Sequence, residues 1–121
     1  MLLASSFEGF RELLGEDSVA ALAVAGNLAL ALANQGRVPE AITVQRMVAE
    51  GKNKRYGLED ERSLTAFWNL ATWLHFEDQN AEAQVIAHNL LETRTRLLGA
   101  DHEKTNKVAE LLRQIDNSDE A

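Results

Sequence analysis

The residue types able to do chemistry are few in this chain, and their spacing decides what they can do. The three histidines, His75, His88 and His102, fall in separate segments with no His-x-x-x-His pair, and cysteine is absent. A zinc site or a thiol nucleophile has nothing to start from. The run Asp101-His102-Glu103 could touch a metal ion, yet it stands alone. No glycine-rich phosphate loop and no serine elbow occurs. No metal, no cofactor and no catalysis are therefore expected. Lys52-Asn53-Lys54-Arg55 is a short basic run, but the net charge is −7, which opposes nucleic-acid binding through counterion release. Cations at a helix C-terminus explain that run better.

What remains is recognition chemistry. Ala23, Asn27, Leu30 and Asn34 recur at spacings of four, three and four, and so do Thr65, Asn69, Thr72 and Phe76. Each set lies along one line of a helix, and neither line carries a charge. Amides and hydroxyls in such a line can bond a peptide backbone, while the apolar positions take its side chains. Trp68 and Trp73 are further candidates for an exposed contact, although tryptophan more often buries most of its area. Phe67 reads as core.

Those lines need helices to carry them. With 121 residues, 45% hydrophobic and 26% charged, the chain has the size and composition of one soluble globular domain. One proline and seven glycines leave little turn material for an all-β fold. Residues 18–36 contain no charge, but alanine dominates them and Asn27, Asn34 and Gln35 interrupt them. A buried helix is expected there rather than a membrane span. The start, Met1 to Phe7, lacks a basic flank and is not read as a signal peptide, so a cytoplasmic location is expected.

Gly15, Gly57 and Gly99 stand 42 residues apart. At that offset Asn27-Leu28-Ala29 falls on Asn69-Leu70-Ala71, Leu22 on Leu64, Leu32 on Leu74, and Glu40-Ala41 on Glu82-Ala83. A fixed period of this size means stacked units. The expected order is a leading helix over 2–14 (Leu3, Phe7, Phe10, Leu14 on one face), a helix pair over 17–55, a second pair over 60–98 and a last helix over 102–115. One domain thus covers 1–115, and 116–121 is expected to be a frayed acidic tail. In the first pair Leu22, Ala25, Ala29 and Leu32 face Ala41, Ile42, Gln45, Val48 and Ala49. In the second, Leu64, Phe67, Leu70, Ala71 and Leu74 face Ala83, Ile86, Ala87, Leu90 and Leu97. Gly57 suits a left-handed cap, Asp60 and Asp101 are read as N-caps, and Gly51 is a place where the second helix could end early or bend.

These motifs resemble tetratricopeptide repeats, in the 42-residue variety found in kinesin light chains. Leu98-Gly99-Ala100-Asp101-His102-Glu103-Lys104-Thr105 is similar to that variety's link, with Glu103 where proline is usual. Asn27-Leu28-Ala29, Asn69-Leu70-Ala71 and Gly36-Arg37-Val38-Pro39-Glu40-Ala41 match its helix motifs. In the second unit Asp78 stands where Gly36 stands in the first, and Gln79 replaces Arg37. The resemblance implies an all-α, right-handed α-solenoid of antiparallel helix pairs, about six helices in all. It also implies a non-catalytic protein–protein interaction module that binds a peptide or partner helix on its concave face, with Asn27 and Asn69 at backbone-contacting positions. Ala23 and Thr65 stand where a carboxylate-clamp groove carries lysine, so such a clamp is not expected. The alternative is a structural or oligomerisation segment, or a regulatory array of a larger multidomain protein, with homo-oligomers forming through the terminal helices.

Overall fold

Ser18, Asp60 and His102 stand 42 residues apart, and each starts a helix. The computed structural model describes residues 18–120. Five helices fill them: α1 (Val19–Asn34), α2 (Val38–Tyr56), α3 (Glu61–Phe76), α4 (Asn80–Leu98) and α5 (Glu103–Glu120). The described residues contain no strand. The leading helix expected over 2–14, and Gly15, lie outside them.

The caps show how a period in sequence becomes a period in structure. A helix start leaves orphan backbone N–H groups, and a side-chain acceptor satisfies one. Ser18 Oγ accepts from the Ala21 N–H at 3.1 Å, and Asp60 Oδ1 from the Arg62 N–H at 2.9 Å. His102 Nδ1 accepts from the Lys104 N–H at 3.1 Å. The cap of α5 is therefore His102 and not Asp101, because the helix starts one residue later than its acidic neighbour suggests. Asp101 serves the same junction differently: its backbone carbonyl accepts from Asn106 Nδ2 at 3.3 Å.

The helix ends repeat as well. After α1 the Arg37 N–H reaches the Leu32 carbonyl at 2.8 Å and the Gly36 N–H reaches Ala33 at 3.0 Å. After α3 the Gln79 N–H reaches Leu74 at 2.8 Å and the Asp78 N–H reaches His75 at 3.0 Å. Both are Schellman closures, which require a left-handed residue at the first position beyond the cap. Gly36 supplies φ 79° and Asp78 supplies φ 61°, aspartate being among the few side chains that tolerate that region. Gly57 differs from the left-handed cap expected of it, and Gly99 shares its geometry. Their φ is positive, at 90° and 93°, but ψ is extended, at 163° and 157°. That region belongs essentially to glycine alone.

The chain divides between Ala66 and Phe67, within α3, into two compact units. In the first, α1 packs on α2. Ala21, Leu22, Ala25, Ala29 and Leu32 are buried, as are Val38, Ala41, Ile42, Val44, Gln45, Val48 and Ala49. Ala29 and Ala41 have no exposed surface, which allows two helix backbones to approach closely. Arg37 and Glu40 form a two-point ion pair across the start of α2, with Nε to Oε1 at 2.8 Å and Nη2 to Oε2 at 2.6 Å. α2 continues through the buried Gly51 to Tyr56, so the early end considered for it does not occur. Buried Gln45 is satisfied: its Nε2 donates to the Ala66 carbonyl at 3.0 Å.

In the second unit α4 packs on α5. Leu70, Ala71 and Leu74 are buried, with Ala83, Ala87, Leu90 and Arg94 from α4 and Val108, Leu111, Leu112 and Ile115 from α5. Phe67 and Ile86 are only half-buried. Leu97 is 43% exposed, against the inward position expected for it. The buried stripe of α4 ends at Arg94, whose carbonyl accepts from Thr105 Oγ1 at 3.3 Å. Leu97 falls in the turn beyond that contact. α5 runs to Glu120, past Ile115, where the sequence reading stops it. Gln84 Nε2 donates to Asp116 Oδ1 at 2.6 Å, which fastens the extra turn to α4.

Candidate functional site

α1 carries no charged residue, so its face away from α2 is uncharged by composition. Ala23, Asn27, Leu30 and Asn34 are all exposed, Leu30 at 47%. An apolar side chain this open, between two amides, is what a peptide-contacting line requires. No side-chain hydrogen bond ties the Asn27 amide to another described residue, so both its donor and acceptor are available.

The corresponding line of α3 is partly engaged. Thr65 is exposed, and its Oγ1 donates to Glu61 Oε1 at 3.4 Å. Asn69 is half-buried. Thr72 is also half-buried and donates to the Trp68 carbonyl at 2.8 Å, a bond along its own helix that leaves the hydroxyl oxygen free to accept. Phe76, in the last turn, is 71% exposed. Trp68 and Trp73 are half-buried, neither core nor open surface.

The charged features lie elsewhere. At the junction before α3, Arg62 grips Asp60 with two bonds, Nε to Oδ1 at 2.9 Å and Nη2 to Oδ2 at 3.0 Å. Its guanidinium lies 3.6 Å from the centre of the Tyr56 ring, a cation–π stack. The side-chain bonds from Arg62, followed by its backbone N–H, pull the Asp60 carboxyl from 3.8 to about 2. This cluster locks a turn, and both charges are spent on each other. The histidines are also occupied or dispersed: His75 shares a 2.9 Å hydrogen bond with Asn80, His102 is a cap and His88 is exposed. Among the described residues no group of three His, Asp or Glu side chains could hold a metal ion. No described helix is long and apolar enough to cross a membrane.

Sequence reading missed several exposed apolar side chains. Val19 and Val24 flank the α1 line, Leu58 follows Gly57, and Val85 stands on the outer side of α4. For Val19 and Val24 the signal is present in the charge-free stretch itself, which has more apolar residues than one buried face can use.

A search of the curated proteins finds no match for the chain. A family model described as tetratricopeptide repeat matches residues 21–61 and 64–103, two consecutive repeats covering more than half of the chain. These segments hold the two helix pairs and the Schellman turns within them, so sequence family and observed architecture agree. The chain belongs to the tetratricopeptide repeat family, whose repeats mediate protein–protein interaction.

Proposed function

We propose that this chain is a non-catalytic interaction module that takes a peptide segment along the uncharged lines of its first helices. The residues assigned to contact are Ala23, Asn27, Leu30 and Asn34 on α1, and Thr65, Asn69, Thr72 and Phe76 on α3. First helices line the concave side in stacked arrays of this kind. The observation that carries the reading is the α1 line, where an unengaged Asn27 amide stands beside an exposed Leu30 on a helix with no charge. Amides of this kind fix an extended backbone in register, and leucine and phenylalanine supply apolar contact area.

Peptides selected on the intact chain from a random display library provide the test. Asn27→Ala and Asn69→Ala should each weaken the selected peptides by about 2- to 10-fold, the range expected for one lost hydrogen bond. Val85→Asp, on α4, should leave affinity unchanged. Unaltered binding in both asparagine variants, with loss in Val85→Asp, would place the contact surface on the other helices.

A further inference from the structure

Leu30 is not the only large apolar side chain open on α1. Val19 is 53% exposed and Val24 37%, so one helix of 16 residues holds three of them. Every other described helix carries formal charges, whereas α1 carries none. Ala23, Val24, Asn27, Leu30 and Ala31 are all exposed. They stand three and four positions either side of Asn27, which makes them neighbours of one point on the helix surface. Asn27 lies at the middle of α1 (Val19–Asn34).

Electrostatics narrows what such a face can take. Each chain has a net charge of −7, so two copies repel wherever their charged surfaces meet. On an uncharged face they meet without that cost. Two-fold symmetry sets a second condition, because the residue on the axis touches its own copy and must be self-complementary. A primary amide meets it: its N–H donors and carbonyl acceptor pair with those of an identical amide. No side-chain hydrogen bond ties the Asn27 amide to another described residue.

The flanking positions also match under that symmetry. With Asn27 on the axis, Val24 meets the partner's Leu30, bulky against bulky. Ala23 meets the partner's Ala31, small against small, which lets the two backbones approach. An antiparallel crossing sets the positive N-terminal end of each helix towards the negative C-terminal end of the other. At 1.5 Å per residue α1 is about 24 Å long, and a helix is about 10 Å wide. Two such strips bury on the order of 1,000 Å² in total, at the low end of specific interfaces, which suits a reversible dimer.

We propose that two copies of this chain associate through the uncharged face of α1, crossing antiparallel at Asn27. The contact is at the middle of a helix, unlike an assembly joined through terminal helices. It covers the α1 line to which peptide contact is assigned, so dimerisation and peptide capture exclude each other there. The dimer itself needs no peptide.

Sedimentation equilibrium of the intact chain tests the association. The wild type should dimerise with a dissociation constant of about 10–100 μM. A pure monomer up to about 1 mM overturns the proposal and leaves the peptide reading to its own asparagine variants. Leu30→Asp, at an exposed position, should raise the dissociation constant at least about tenfold, since both copies then bring a carboxylate to the face. Val85→Asp, on α4, should leave it unchanged. No effect of Leu30→Asp, or equal weakening by both variants, overturns the proposal. The crossing point is read separately, because cysteine is absent and introduced thiols are the only reactive ones. Asn27→Cys should form an interchain disulfide on mild oxidation. Ala20→Cys, also exposed, should do so at least about tenfold more slowly. Antiparallel copies hold its two Cα atoms about 21 Å apart, whereas a disulfide spans at most about 7 Å. Equal rates at the two positions overturn the crossing at Asn27.

Discussion

Gly57 and Gly26 show how differently one residue type behaves at two backbone positions. A Cβ added at either meets nothing within 4 Å, so crowding cannot decide the outcome. Backbone conformation decides it. Gly57→Ala should lose about 1–3 kcal/mol, because alanine is strained at φ 90° and ψ 163°. Gly26→Ala, inside α1, should gain about 1 kcal/mol from helix propensity. Urea unfolding of the two variants gives both signs in one experiment. Asp60 provides a titration counterpart. Its folded value of about 2 lies below the ordinary 3.8. The stability it contributes is complete above the unfolded value and is lost as pH falls through about 2. The carboxyl carbon shift of Asp60 should titrate near 2, and Asp60→Asn should flatten the stability curve between pH 4 and 2. The glycine period was readable at this scale, but the ψ angle was not, since a repeat marks a special residue without naming its conformation. The His102 cap was readable too, had the offset from Ser18 and Asp60 been applied instead of a preference for carboxylates.

Helix faces were legible wherever small and apolar residues alternate at spacings of three and four. Every inward position assigned on α1 and α2 is buried. The pattern failed where an element outruns its partner or gains one, as at Leu97 and at the extra turn fastened by Gln84 and Asp116. Neither effect is local, so neither leaves a trace in local spacing. Ser63 carries a further consequence of the repeat. It stands one period before Thr105, fully buried, but its hydroxyl has no hydrogen-bond partner, whereas Thr105 bonds the Arg94 carbonyl. An unpaired buried hydroxyl costs about 1–3 kcal/mol, so Ser63→Ala should be neutral or stabilising. Thr105→Ala should be destabilising by about 1 kcal/mol. Thermal unfolding of the pair checks the contrast. The uncharged lines of α1 and α3 were legible because absence of charge is a property of sequence. The engagement of Thr65 and Thr72 was not, because a hydroxyl's choice between its own helix and a ligand depends on rotamer.

Across the whole molecule the formal charges fall outside the two lines proposed for contact. The net charge is −7, yet neither contact line bears a formal charge. Affinity for peptides selected on those lines should therefore change by less than about threefold between 50 and 500 mM salt, since screening acts on charges and leaves apolar contact nearly untouched. A steep salt dependence, read by fluorescence titration, would move the contact to the charged second helices. The junctions at Gly57 and Gly99 have nearly identical backbone angles, and each is followed by a side chain that caps the next helix. The stretch from one glycine to the residue before the next is thus an interchangeable cassette with matching ends. Splicing in a second copy would lengthen the array by one hairpin while keeping both joints chemically intact, a modularity that gene duplication could exploit without inventing a new connector.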